Sequence, residues 1–240
     1  MILPAFSNAI LLFNKPLSWT SFDVVNKVKI LTRMKIGHAG TLDPLATGLL
    51  ILCTGSLTKK ISDFQSLDKE YTGTMRLGAT TPSFDLEREV DERFDISHIT
   101  DEMIFDAAKK FIGTQEQLPP AHSAKHHDGS RYYDLAREGK AFDLKPHTVT
   151  LNEFEIMRIS LPEVDFKIVC GKGFYVRSLV NDFGRALKAG AHLSSLCRTR
   201  IGDYHLKDAW QVEDFTKFVR EQKEKLRSPL QTKNESPQKS

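Results

Sequence analysis

Cysteine is scarce in this 240-residue chain: Cys53, Cys170 and Cys197 are odd in number, far apart and never in a CxxC spacing. That argues against a disulfide framework and against a cysteine-based zinc site. No apolar run approaches the length of a membrane span, and Met1-Ile2-Leu3-Pro4 lacks the basic start of a secretory signal. The phosphate-cradling pattern G-x-x-x-x-G-K-[ST] does not occur, nor does any internal repeat at a solenoid period. A reducing cytoplasm fits these absences. Charge of one sign is also lacking, since the net charge is only +3, too small by itself to argue for a nucleic-acid partner.

The distribution of charge is more informative than its sum. Nine carboxylates stand between Asp85 and Asp106 against Arg88 and Arg93. Between Asp165 and Gly202 the cations Lys167, Lys172, Arg177, Arg185, Lys188, Arg198 and Arg200 face only Asp165 and Asp182. Such segregation predicts one basic face suited to a phosphate backbone and one acidic face turned away. Hydrophobic content of 40% and charged content of 27% are those of an ordinary globular protein with ample core.

Local patterns then place the elements. Ala9-Ile10-Leu11-Leu12-Phe13 is a short apolar run that reads as a buried strand. Thr20-x-x-Asp23 has the form of a capping box, opening a helix on Phe22, Val25, Val28 and Leu31. Leu49 to Cys53 reads as a central strand, Leu57 to Phe64 as a short helix, and Tyr71 to Leu77 as a further strand. Thr100 caps a helix that runs through Phe111 and ends at Gly113. Residues 147–157 and 164–170 are rich in Val, Ile and Phe and predict strands. Val176, Leu179, Val180, Phe183 and Leu187 recur with helical period and form a core stripe. Strands and helices mix without strict alternation, which predicts an α+β fold with a mixed, largely antiparallel central sheet and flanking helices. Residues 1–227 read as one catalytic domain. From 228 to 240 the composition turns to Ser, Gln, Lys, Pro and Asn and predicts a disordered polar tail.

The densest signal is Gly37-His38-Ala39-Gly40-Thr41-Leu42-Asp43-Pro44-Leu45-Ala46-Thr47-Gly48. It puts a single carboxylate, Asp43, in a loop whose shape is locally constrained. The glycines permit backbone angles and approaches that side-chained residues resist. Pro44 holds its own φ and keeps Asp43 extended. A tight loop with Asp43 as an ordinary turn former remains the plain alternative. His122, His126 and His127 form the other cluster of chemistry-bearing residues. Pro119-Pro120 before them and Asp128-Gly129 after them suit a strand and turn, no acidic or cysteine partner stands at ligand spacing, and no metal is expected.

GHAGTLDPLATG resembles the catalytic loop of the TruB-type tRNA pseudouridine synthases. Four more blocks match that family in the correct order: Phe13-Asn14-Lys15-Pro16 with Thr20-Ser21-Phe22-Asp23; Lys69-Glu70-Tyr71 leading to Leu77-Gly78; Pro119-Pro120-Ala121-His122-Ser123-Ala124-Lys125; and Gly173-Phe174-Tyr175-Val176-Arg177-Ser178-Leu179. The resemblance implies a pseudouridine synthase fold and an isomerase that converts the T-loop uridine of tRNA, at position 55, to pseudouridine. It implies Asp43 as the catalytic aspartate, Tyr71 and Tyr175 as aromatic walls for a flipped uracil, and Arg177 as the partner of Asp43. His38 is implied to fill space on the RNA and Leu196 to close over the base, while Lys15 is expected to brace the loop. No cofactor is implied, because the reaction neither oxidises nor donates a group. The expected partner is the tRNA T arm, and nothing in the pattern demands a dimer, so a monomer is expected. Members of the family often carry a small RNA-binding PUA domain after the catalytic block, and the shortness of the chain beyond that block implies its absence. The rival readings are a non-catalytic tRNA-binding or folding module on the same scaffold, and a glycosidase. The latter chemistry generally needs two carboxylates at a set separation, where only one stands in a constrained motif.

Overall fold

The computed structural model describes residues 6–120, 126–127, 130–131 and 145–231. A nine-stranded mixed sheet organises them. Its main path runs β1 (Ile10–Lys15), β3 (Ala46–Thr54), β12 (Ala191–Ile201), β4 (Lys69–Leu77), β11 (Glu163–Cys170), β10 (His147–Ser160) and β7 (Gly113–Gln117). β2 (Ile36–Ala39) pairs with β3, and β13 (Tyr204–His205) with β12. Four two-residue strands beside these, β5 (Ala79–Thr80) with β6 (Glu92–Arg93) and β8 (His126–His127) with β9 (Ser130–Arg131), make two small ribbons. Every strand pair is antiparallel except β3 with β12. Five α-helices flank the sheet among the described residues: α1 (Ser21–Thr32), α2 (Ile61–Ser66), α3 (Asp101–Phe111), α4 (Val176–Ala186) and α5 (Val212–Gln231). The expected α+β class and largely antiparallel sheet are what the chain forms.

The local chemistry read from the sequence builds these elements. The Thr20 side chain accepts from the Asp23 amide while Asp23 accepts from the Thr20 amide, so the capping box is complete. It satisfies two of the donors that a helix start leaves open. Thr100 caps α3 in the same way through the Met103 amide, and Gly113 follows at φ +117°. β3 is buried on both faces at every residue but Thr47, as a continuous apolar run in a sheet centre should be. Val176, Leu179, Val180, Phe183 and Leu187 are all buried. They pack with Ile104, Leu151, Phe154 and Phe166 into one core on the α3–α4 side. Phe13, Val24, Val28, Leu50, Leu52 and Phe215 form a second core beneath α1 and α5.

Some sequence expectations change. Phe22 is 62% exposed, and the buried stripe of α1 is Ser21, Val24, Val25, Val28 and Thr32. Residues 191–201, to which sequence pattern assigned no element, are β12, which joins the two halves of the sheet. Its run of Ser and Arg conceals it, because Ser194 and the buried Arg198 meet partners far away in sequence, at Thr74, Leu49 and Gly40. α5 continues to Gln231, past the position where composition predicts a tail, and residues 232–240 lie outside the described part.

The expected continuous basic face does not form. Arg177 and Arg198 are buried, while Lys167 pairs with Glu155 and Arg200 with Glu70. Lys172, Arg185 and Lys188 are the members of that segment left exposed. Cations brought into the interior or neutralised by neighbours contribute little to an outward field.

One feature of the topology positions the Asp43 loop. β2 and β12 share the same edge of β3: Ile36–Ala39 pair with Thr54–Ile51, and Leu196–Arg198 pair in parallel with Ala46–Gly48. The chain between β2 and β3 must therefore leave the sheet to admit β12. The segment that leaves is the loop carrying Asp43.

Candidate active site

That loop is held from three directions. From below, Lys15 is wholly buried, and its ammonium donates to the carbonyls of Pro16 at 2.8 Å, Trp19 at 2.6 Å and Pro44 at 3.3 Å. Its three donors thus meet three acceptors, and burial lowers its pKa to about 8 against the favourable pull of Asp43. The expected bracing role of Lys15 is what its hydrogen bonds display. From α1, the Ser21 hydroxyl accepts from the Leu42 amide at 2.9 Å. Within the loop, Gly40 takes φ +86° and the Ala46 amide closes a turn on the Asp43 carbonyl at 3.1 Å.

From above, Arg177 in the first turn of α4 places Nε 2.9 Å from Asp43 Oδ2. The arginine side chain is 4% exposed and the aspartate 40% exposed, so the cation lies behind the carboxylate and the carboxylate opens to the cleft. Arg177 also donates to the Ser83 carbonyl at 3.2 Å and lies 3.7 Å from Asp85 Oδ2. Desolvation in the cleft floor pushes the Asp43 pKa above the usual carboxylate range. Arg177 opposes that push, and Asp85 and Glu87 add to it.

The cleft in front of Asp43 has a volume of about 520 Å³ and is lined in part by Thr41, Asp43, Tyr71, Tyr175, Arg177 and Leu196. That lies within the size range of small-ligand sites. Tyr71 stands on β4, opposite Ile168 on one neighbour and Arg198 on the other. Burial drives its phenol pKa upward, with the Arg198 guanidinium pulling the other way. Tyr175 is the N-cap of α4. Its backbone is clamped from both sides by Gln117, which accepts from the Tyr175 amide at 2.8 Å and donates to its carbonyl at 3.0 Å. The Tyr175 ring meets His147 edge-on at 5.8 Å between centroids. Leu196, on β12 between Gly73 and Ala46, borders the same space.

The fold thus brings Asp43, Tyr71, Tyr175, Arg177 and Leu196 to one cleft. His38 stands apart. It lies on β2 outside the described lining, its Nε2 3.2 Å from Thr41 Oγ1, and burial with the nearby Arg198 charge lowers its pKa, which favours the neutral ring. No group of metal-binding side chains occurs among the described residues. His122 lies outside them, whereas His126–His127 form the short strand β8 that the flanking residues suggested.

Two residues at the site were not singled out from sequence. Asp85, sitting inside an acidic run that looks solvated, is 5% exposed and faces Arg177. Arg198, in a run that looks basic and exposed, is 1% exposed and lines the cleft. The only advance signal for Arg198 was its place two residues beyond Leu196.

Comparisons with known proteins identify the family and the fold. Residues 28–176 match the family model described as TruB family pseudouridylate synthase (N terminal domain), and residues 177–233 that of the tRNA pseudouridylate synthase B C-terminal domain. The chain is similar to the tRNA pseudouridine synthase B of Phocaeicola vulgatus, 50% identical over 220 residues covering 89% of this chain and 94% of that protein. It is 52% identical to the protein of the same name from Flavobacterium johnsoniae over 214 residues, 86% of this chain and 93% of that one. Among solved structures it resembles a chain of the "Crystal Structure of a Cbf5-Nop10-Gar1 Complex", with a TM-score of 0.68 and 25% identity. That match covers 88% of this chain and 54% of the other, so this chain spans about half the length of that relative.

Proposed function

The chain belongs to the TruB family of pseudouridylate synthases, and from that premise we propose that it isomerises uridine 55 in the T loop of tRNA to pseudouridine, with Asp43 as the catalytic carboxylate. The observation that carries the reading is the pairing of a cleft-facing Asp43 with a fully enclosed Arg177 at 2.9 Å.

The reaction breaks the C1′–N1 bond, turns the detached uracil and rejoins it through C5, which then loses its hydrogen as a proton while N1 takes one up. It requires a carboxylate beside the sugar, a surface that holds the free base, and exclusion of water. Asp43 supplies the carboxylate. Arg177 favours its ionised form and fixes its direction. Tyr71 and Tyr175 supply aromatic faces, each worth roughly 1–3 kcal/mol of stacking, against the few kcal/mol that extruding a nucleotide costs. Leu196 covers the base from the β12 side. His38, with its ring held toward Thr41, is assigned to the RNA outside the cleft. Nothing is oxidised or donated, so the chemistry calls for no cofactor. RNA recognition of this kind uses shape and unstacked loop bases, which suits a T arm. A tRNA substrate and three cysteines without disulfides together favour the cytoplasm, and a sheet in which residues 191–201 pair with β3 and β4 alike favours a single catalytic unit.

The test uses unmodified tRNA transcript tritiated at uracil C5. Release of tritium to solvent without free uracil supports isomerisation. Free uracil would indicate a glycosidase. Binding without release from folded tRNA would leave the non-catalytic module in its place.

A further inference from the structure

Arg198 is the largest side chain among those wholly withdrawn from solvent, and no carboxylate pairs with it in an ion pair among the described residues. Burying a cation without a counter-charge is costly, so the position calls for an explanation beyond filling space. Its partners are neutral and specific. Nε donates to the Leu49 carbonyl at 2.7 Å and Nη2 to the Gly40 carbonyl at 3.0 Å. Those carbonyls lie on either side of Asp43 in sequence, at the exit from β2 and within β3. The guanidinium therefore ties together the two ends of the loop that presents the carboxylate.

The backbone of Arg198 grips the same loop. Arg198 is the parallel partner of Gly48, and a Cβ on Gly48 would stand 2.3 Å from the Arg198 carbonyl oxygen and 2.5 Å from its nitrogen. On its other edge Arg198 is directly opposite Tyr71 across the β12–β4 pair, and its positive charge opposes the upward push that burial gives the phenol pKa. One residue thus ties both ends of the Asp43 loop and lies opposite the aromatic wall, and Gly40, Asp43, Tyr71 and Arg198 border one cleft.

We propose that Arg198 is a positioning residue for the isomerisation, holding the two ends of the Asp43 loop with one planar donor while its own backbone, paired with Gly48 and opposite Tyr71, sets that loop relative to the aromatic wall. This rests on the isomerase reading above. Arginine suits the task because its nitrogens are rigidly spaced, whereas the single ammonium of lysine cannot span the two carbonyls with the same geometry. Because the guanidinium is enclosed behind the cleft surface, its removal should disturb the chemical step far more than the capture of RNA.

The experiment compares wild type, Arg198→Lys and Arg198→Met in single-turnover tritium release and in equilibrium binding of the same tRNA, with thermal denaturation of each variant. Arg198→Lys is expected to keep the fold and bind tRNA within about threefold of wild type, while its single-turnover rate falls about a hundredfold, in line with the penalty for a misplaced reacting group. Arg198→Met is expected to be slower still, and methylguanidinium at non-denaturing concentration should restore part of its rate. A double cycle with Tyr71→Phe should be strongly non-additive, since the two residues are directly opposed across the β12–β4 pair and border the same cleft. Should Arg198→Met fail to fold, Arg198→Lys and its cycle decide the matter alone. A wild-type rate in Arg198→Lys, equal losses in rate and binding, or additivity with Tyr71→Phe would overturn the proposal. Absence of tritium release from wild type itself would instead bring down the isomerase reading, so the two failures are distinct.

Discussion

Arg177 Nε stands 2.9 Å from Asp43 Oδ2, with the arginine 4% and the aspartate 40% exposed. The asymmetry matters: the cation is spent on orienting the carboxylate, and the carboxylate is left to meet a substrate. Asp43→Asn keeps the shape and removes the charge. Its single-turnover tritium release should fall at least about a thousandfold, within the range for loss of an acid–base or nucleophilic group, while tRNA affinity stays within about threefold. A parallel loss of affinity would show that the carboxylate serves binding.

The same pair sets a pH dependence. Burial raises the Asp43 pKa, with Arg177 as the opposing influence and Asp85 and Glu87 as reinforcing ones. The working form is the ionised one, so activity should be lost on acidification at a higher pH than the roughly 3.9 of a free aspartate. Arg177→Met removes the opposing cation, raises the pKa further and should move the acid limb to still higher pH. A pH–rate profile of both proteins checks this, and an unmoved limb in the variant would rule out the ion pair as the source.

Lys15 meets three carbonyls and touches no solvent. Lys15→Met leaves those acceptors without a donor, each at about 1–3 kcal/mol. With partial relaxation a total near 3 kcal/mol is expected, equivalent to a fall in melting temperature of roughly 6–12 °C for a domain of this size. Because Pro44 is among the three, turnover should decline at temperatures where the variant is still folded. Calorimetry alongside tritium release separates the two effects.

Gly48 has φ +105°, and a side chain there would enter the backbone of Arg198. Gly48→Ala combines an unfavourable backbone region with a clash that only separating β3 from β12 can relieve. We expect loss of soluble, cooperatively folding protein, measured by circular dichroism and denaturant titration. A well-folded Gly48→Ala protein would mean that this parallel seam is looser than its geometry indicates.

Lys172 is exposed at the edge of the cleft. If it meets a phosphate, Lys172→Ala should weaken tRNA binding and reduce the slope of log affinity against log salt by about 1, leaving the rate at saturating tRNA unchanged. An unaltered slope would place the phosphate path elsewhere.

Much of this molecule is written locally. The capping box at Thr20 and Asp23, the double burial of Leu49 to Cys53 and the helical stripe from Val176 to Leu187 depend on hydrogen bonds and periodicities spanning a few residues, so they are legible in one dimension. The constrained loop around Asp43 is legible for the same reason, since glycine and proline act on their own backbone angles. What tertiary structure decided are the relations across long stretches of chain. That Arg177 faces Asp43, that Asp85 leaves its acidic run to stand behind Arg177, and that Arg198 is an internal tie rather than part of a basic surface all follow from β12 entering between β3 and β4. No local preference records that insertion. It arises from strand pairing between segments some 150 residues apart, as Arg198 and Leu49 are, where burial and hydrogen-bond satisfaction of the whole sheet outweigh the polar character of the strand itself.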